Sequence, residues 1–126
     1  MRLAALHFSD DGTVLIARLE GEVDLSNARD IALPIRRRVS NDTFGVVLDL
    51  TDVRYLDSAG IQLIYHLREV LGARGQRLLL VTPTASPVND ALRLAGVSDQ
   101  VVRAETLPGA LAALSGEALG VTEADA

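Results

Sequence analysis

The sequence predicts one α/β domain: a mixed, mostly parallel sheet of four to five strands, with an N-terminal hairpin and about four helices. Three observations carry that expectation. Thr13 to Val23 alternates in polarity behind the turn signal Asp11-Gly12, as the second strand of a hairpin does. Val46–Leu50 and Arg77–Val81 ("RLLLV") are short apolar runs suited to buried strands. Between them lies the clearest amphipathic helix in the chain, and strand, helix, strand at this distance is a βαβ unit with parallel strands.

Leu3 to Phe8 reads as the first strand of the hairpin. In the second strand Leu15, Ala17, Leu19, Gly21 and Val23 share one wholly apolar face, which should meet the core. A helix is expected after Asp24 or Ser26, either of which could cap it, with Ala28, Ile31, Ala32, Ile35 and Val39 at helical spacing. Pro34 predicts a kink or break near Leu33, since a mid-helix proline removes a hydrogen bond and crowds the preceding turn. The central helix should run from Ser58 to about Arg74, burying Leu63, Ile64, Leu67, Val70 and Leu71, with Gly72 and Gly75 at its end. Ser86-Pro87 and Thr106 with Pro108 each predict a capped helix start. Gly96 ends the first of these helices, and Val101-Val102 reads as an edge strand. The domain is expected over residues 1–115, with 116–126 as a frayed acidic tail.

A chain of 126 residues is large enough to bury roughly two-thirds of its unfolded surface. Cysteine is absent, which excludes disulfide scaffolds and thiolate metal sites and fits a reducing cytoplasm. The net charge is −5 and all twelve basic residues are arginines. Such a surface argues against direct DNA or RNA binding, whose affinity comes largely from neutralising phosphates. No run approaches the ~20 apolar residues of a membrane span, so no membrane insertion is expected and a cytoplasmic location is.

Enzymatic chemistry finds little to work with. A nucleophilic serine needs a base within reach. The G-x-S-x-G pattern fails at Leu56, and His66 lies eight residues beyond Ser58, roughly 12 Å along the same helix. No phosphate-cradling loop is present, and a chain without lysine cannot supply the P-loop cation. No metal-ligand spacing occurs. No catalytic residue, metal or cofactor is therefore expected. What remains is the side of the central helix opposite Leu67, which carries Ser58, Ile61, Gln62, Tyr65 and Glu69. With Ser26 at the neighbouring loop, these residues form a candidate docking surface around a helix-terminal serine.

The segments "GEVDLSNA" (Gly21 to Ala28), "VVLDLTDVRYLDSAGIQLI" (Val46 to Ile64) and "LRLAGVSDQV" (Leu92 to Val101) together resemble the STAS-domain family, and within it the bacterial anti-sigma-factor antagonists. The resemblance covers nearly the whole chain in order, and Asp-Ser-Ala-Gly after the strand is its most specific part. It implies a single STAS-like domain acting as a switch. Ser58 would be the phosphoacceptor for an anti-sigma factor that is also a serine kinase. The unmodified form would bind that kinase, the modified form would let go, and a protein phosphatase would restore it. Asp24, Asp57, Ala59 and Gly60 would surround the phosphosite, Gly60 keeping the approach open. Many relatives carry a second serine where this chain has Ala59, and Pro34 is unusual in the first helix. Two other readings compete. One is an unphosphorylated STAS subunit that serves as an adaptor in a lipid-transport or stress-signalling assembly. The other is a small nucleotide-binding domain, which the missing glycine loops weaken.

Overall fold

The backbone begins with two antiparallel strands, β1 (Ala5–Asp11) and β2 (Val14–Val23), joined by a two-residue turn at Gly12 and Thr13. The structure is a computed structural model and describes residues 4–97 and 101–118. After the hairpin come α1 (Ala28–Arg38), β3 (Gly45–Leu56), α2 (Ser58–Ala73), β4 (Arg77–Val81), α3 (Pro87–Leu94), β5 (Val102–Ala104) and α4 (Leu107–Ala118). The sheet has the strand order β1-β2-β3-β4-β5, antiparallel at the hairpin and parallel elsewhere. Leu3, the expected start of the first strand, and residues 119–126 of the expected tail lie outside the described residues. Gly116, placed in the frayed tail by the sequence, belongs to α4.

Alternation along the strands sorts the core into two halves. Leu15, Ala17 and Leu19 of β2, with Val46, Leu48 and Leu50 of β3, pack against Ile31 and Ile35 of α1, the buried stripe of α2, and Val88 and Leu92 of α3. The opposite residues Ile16, Val47, Leu79 and Val81 are covered by Ala110 and Leu114 of α4. The sheet is thus buried on both faces at its centre, as parallel sheets require. Ile16, on the face of β2 opposite Leu15, Ala17 and Leu19, is buried beneath α4, so both faces of this strand meet a core.

Three expectations are corrected. The third strand is more than twice as long as the apolar run Val46–Leu50, because its polar second half stays paired with β2 through irregular register at Glu20 and Glu22. Arg18 links the two strands there, donating to Glu20 at 2.7 Å and to Asp52 at 3.1 Å. The first helix runs without a break through Pro34. The proline forfeits one backbone hydrogen bond, but buried Ile31 and Ile35 hold the turns on either side to the core. Neither Asp24 nor Ser26 caps that helix; Asn27 occupies the cap position and its side chain turns back instead, accepting from Asp24 N and donating to Glu22 O. The later starts follow expectation, with Ser86 accepting from Val88 N and Thr106 from Gly109 N.

At the far end of the sheet Glu105 accepts hydrogen bonds from the hydroxyl and the amide of Thr84 and lies 3.6 Å from Arg103. These contacts, the Thr84 hydroxyl first among them, hold its carboxyl below the ordinary glutamate value. A carboxyl depressed in the folded state stabilises above its unfolded pKa, and that contribution is lost as pH falls through the folded pKa. Glu105→Gln should therefore lower Tm at neutral pH, with the two melting curves converging below about pH 4. An offset that stays constant down to pH 3 would contradict this role.

Candidate functional site

β2 and β3 end side by side, Val23 opposite Leu56, and the Asp57 amide donates to the Val23 carbonyl at 3.2 Å. The loop after β2 and the start of α2 therefore leave the sheet at one rim, which brings Asp24 and Asp57 to the same end. Each carboxylate is used locally. Asp24 Oδ1 accepts from the Ser26 amide at 2.9 Å and from the Ser26 hydroxyl at 2.5 Å, fixing the loop that leads to α1. Asp57 is the N-cap of α2, its Oδ1 accepting from Ala59 N at 2.8 Å and Gly60 N at 3.2 Å. Such a cap contributes about 1 kcal/mol relative to alanine.

Because Asp57 satisfies the first free amides, Ser58 does not. It is the first helical residue, it is exposed, and its hydroxyl has no hydrogen-bond partner among the described residues. Two residues on, Gly60 is buried. A Cβ there would lie 2.4 Å from Leu56 Cδ1 and 3.3 Å from Val23 Cγ1. Its missing side chain lets the first turn of α2 seat against β2 and β3, so Gly60 faces inward and does not keep the approach to Ser58 open, as the sequence suggested. Ala59 is half-buried against the same core.

The docking surface is also redrawn. Gln62 and Glu69 are exposed, but Ile61 and Tyr65 are half-buried and pack on the core. The helical wheel placed them opposite the buried stripe. However, α2 touches α1, β3 and β4, so its covered arc is wider than that stripe. The large apolar side chains exposed beside Ser58 are instead Leu25, 82% exposed in the loop after β2, and Leu33, 45% exposed on α1. Both line an open groove between α1 and α2 together with Ser26, Asp57, Ser58 and Gln62. Leu25 was legible as an apolar residue between two polar ones in "DLSNA"; Leu33 had been noticed only as a neighbour of Pro34. Tyr65, Gln62 and Glu69 line a separate groove on the other flank of α2, facing Val101 and Val102. His66 is exposed and approaches Arg36 of α1 at 3.5 Å. Among the described residues no helix is long and apolar enough to cross a membrane, and no group of three His, Cys, Asp or Glu could hold a metal ion.

A five-stranded sheet with a hairpin at one edge and an exposed serine opening the helix after its central strand defines the class of small single α/β domain to which this chain belongs. The family model of the STAS domain matches residues 7–110, and the chain belongs to that family. None of the curated proteins matches it. Among solved structures it is similar to an anti-sigma factor antagonist from Mycobacterium paratuberculosis, at 23% identity and a TM-score of 0.79 over 89% of this chain and 94% of that one. It is similar also to the anti-sigma factor antagonist SpoIIAA in its unphosphorylated form, at 19% identity and a TM-score of 0.69, covering 94% of this chain and all of that one. The phosphorylated form of the Bacillus protein matches at 20% identity and a TM-score of 0.64, over 85% of this chain and 96% of that one. At these identities the likeness is one of fold.

The packing of Gly60 gives a direct test. Gly60→Ala should destabilise the domain by about 1–3 kcal/mol, the usual cost of overpacking a close contact. Gly72→Ala, whose Cβ would meet nothing within 4 Å, should be neutral or stabilising by up to about 1 kcal/mol. Urea unfolding of the two variants measures both, and equal stabilities would contradict the close approach of α2 to the sheet.

Proposed function

We propose that this protein is an anti-sigma-factor antagonist. In its unmodified form it binds an anti-sigma factor serine kinase, and phosphorylation on Ser58 releases it. One observation carries the reading: the Ser58 hydroxyl is exposed at the first position of α2 and is excused from capping by Asp57. A kinase can reach that oxygen without opening the fold. The family and the fold of its solved neighbours support the role, and one of those neighbours, SpoIIAA, is known in both unphosphorylated and phosphorylated forms.

The electrostatics of the switch follow from placement. A phosphoserine carries about −1.5 to −2 charges at neutral pH. Facing solvent at a helix N-terminus, it gains from the helix dipole, and water's high dielectric keeps its repulsion of the neighbouring Asp57 carboxylate small, so the domain stays folded. Across an interface the same charge is costly. Two negative charges about 6 Å from a partner carboxylate are worth roughly 5 kcal/mol of repulsion at an effective dielectric near 20. Even half of that weakens a complex about fifty- to a hundredfold. A phosphatase acting on the released form resets the system. Asp24 and Ser26 hold the adjoining loop in place, Leu25, Leu33 and Gln62 supply contact surface around the serine, and Glu69 extends it about three turns further along α2.

Incubation with an anti-sigma factor kinase of the same cell and ATP should add one phosphate, mapped by intact mass and peptide sequencing to Ser58. Ser58→Ala should abolish the modification and keep kinase binding, while Ser58→Asp should weaken binding about tenfold or more. A chain that gains no phosphate, yet assembles stoichiometrically into a larger complex, would contradict the switch and favour an adaptor subunit.

A further inference from the structure

The groove between α1 and α2 does not end at Ser58. It continues past Leu33 and Arg36, which line both its parts, to the C-terminal end of the two helices. There the floor is apolar, built from Leu33, Val70 and neighbouring side chains, and every charged residue lining it is an arginine: Arg36, Arg37 and Arg74. No carboxylate enters this end, in a chain that has 17 acidic residues against 12 basic ones. Elsewhere Arg18, Arg93 and Arg103 each sit beside an acid. Here the described partners are not acids: Arg36 meets His66, and Arg74 donates to Asn41. The α1 dipole accounts for basic residues in its own last turn, Arg36 to Arg38. Arg74, at the C-cap of α2, answers to the dipole of that helix in the same way, and what neither dipole accounts for is the apolar floor left open between the arginines.

We infer that this lower part of the groove docks an acidic amphipathic helix of a partner protein, its apolar residues on Leu33 and Val70 and its carboxylates on Arg36, Arg37 and Arg74. The geometry is that of a third helix laid across two: neighbouring helix axes lie about 8–10 Å apart, and apolar residues at i, i+3, i+4 and i+7 fill the groove between them. Three guanidinium groups around an apolar floor suit carboxylates, which arginine binds through paired N–H donors. A nucleic acid would use the arginines but leave the apolar floor unfilled. The centre of this surface is set apart from the Ser58 rim, although Leu33 and Arg36 line both, since Val70 and Arg74 lie roughly 18 and 24 Å beyond Ser58 along α2.

The test is a displayed library of random peptides, each about ten residues long, roughly 15 Å of helix, so as to cover the lower part of the groove without reaching Ser58, selected on the purified chain and on the Arg37→Glu/Arg74→Glu double variant. Peptides won by the native chain should combine apolar residues at helical spacing with Asp or Glu. Calorimetry should show them binding the double variant about tenfold or more weakly, and their addition should move the amide resonances of Leu33, Val70 and Arg74. Both substituted arginines are exposed, and an unchanged circular dichroism spectrum and Tm will show that the variant is folded. The same peptides should bind Ser58→Asp as well as the native chain, so failure of the phosphorylation switch and failure of this groove are read separately. Selection without acidic enrichment, resonance changes confined to other surfaces, or equal binding to the double variant would overturn the inference. So would tighter binding to phosphatidylserine-containing vesicles or to a DNA duplex than to any selected peptide.

Discussion

The site rests on the carboxylate of Asp57, which takes up the amides of Ala59 and Gly60. A helix that starts at the rim of a sheet must satisfy its first amides with something. Had Ser58 been the cap, its hydroxyl would have been committed to the backbone and its modification would have dismantled the first turn. With the aspartate one residue earlier, the cap and the exposed hydroxyl are separate groups. The turn is further fixed from below, where Gly60 allows contact with Leu56 and Val23 too close for any side chain. The serine therefore stands on a rigid base while remaining open to a second protein.

Strand order explains why the candidate site lies on the surface. The strands follow one another across the sheet, and α1, α2 and α3 all bury into the core on one face, leaving the other to α4. An open α/β sheet binds nucleotides where its strand order reverses and helices diverge to opposite faces. Strands β2 to β5 offer no such reversal, which weakens the nucleotide-binding reading on geometric grounds beyond the missing glycine loops. The parallel strand ends instead present loops and helix starts side by side, a surface suited to contact with another macromolecule. Leu25 and Leu33 give that surface apolar contact area next to Ser58.

Most of the architecture was legible because its signals are local. The hairpin turn, the stripe of α2 and the caps at Ser86 and Thr106 are short-range patterns, and each lies where its chemistry places it, except that Val70 of the stripe is half-buried and lines the groove beside α1. The errors have a shared cause, in that tertiary packing outweighed local propensity. Pro34 stays helical because Ile31 and Ile35 anchor the adjacent turns, and β3 extends through Asp52 and Arg54 because β2 remains paired with it. Of the site, Ser58 and the acids around it could be found from the segment itself. The roles of Asn27 and Gly60 could not, since each depends on backbone or side chains brought close only by the fold. Tyr65 and Ile61 were misplaced for the same reason: a helical wheel gives direction but not the width of the face that neighbours cover.

The central claim is that charge added at Ser58 changes what the surface can touch and leaves the domain as it was. The most direct measurement is thermal unfolding and amide NMR of the chain carrying phosphoserine at position 58, installed during synthesis so that no kinase is needed. A Tm within about 3 °C of the unmodified chain, equivalent to less than about 1 kcal/mol, is predicted. Resonance changes should be confined to the loop after β2 and the first turns of α2. A fall of about 10 °C or more, or changes spread through the sheet, would show that the modification acts by unfolding and would contradict the account.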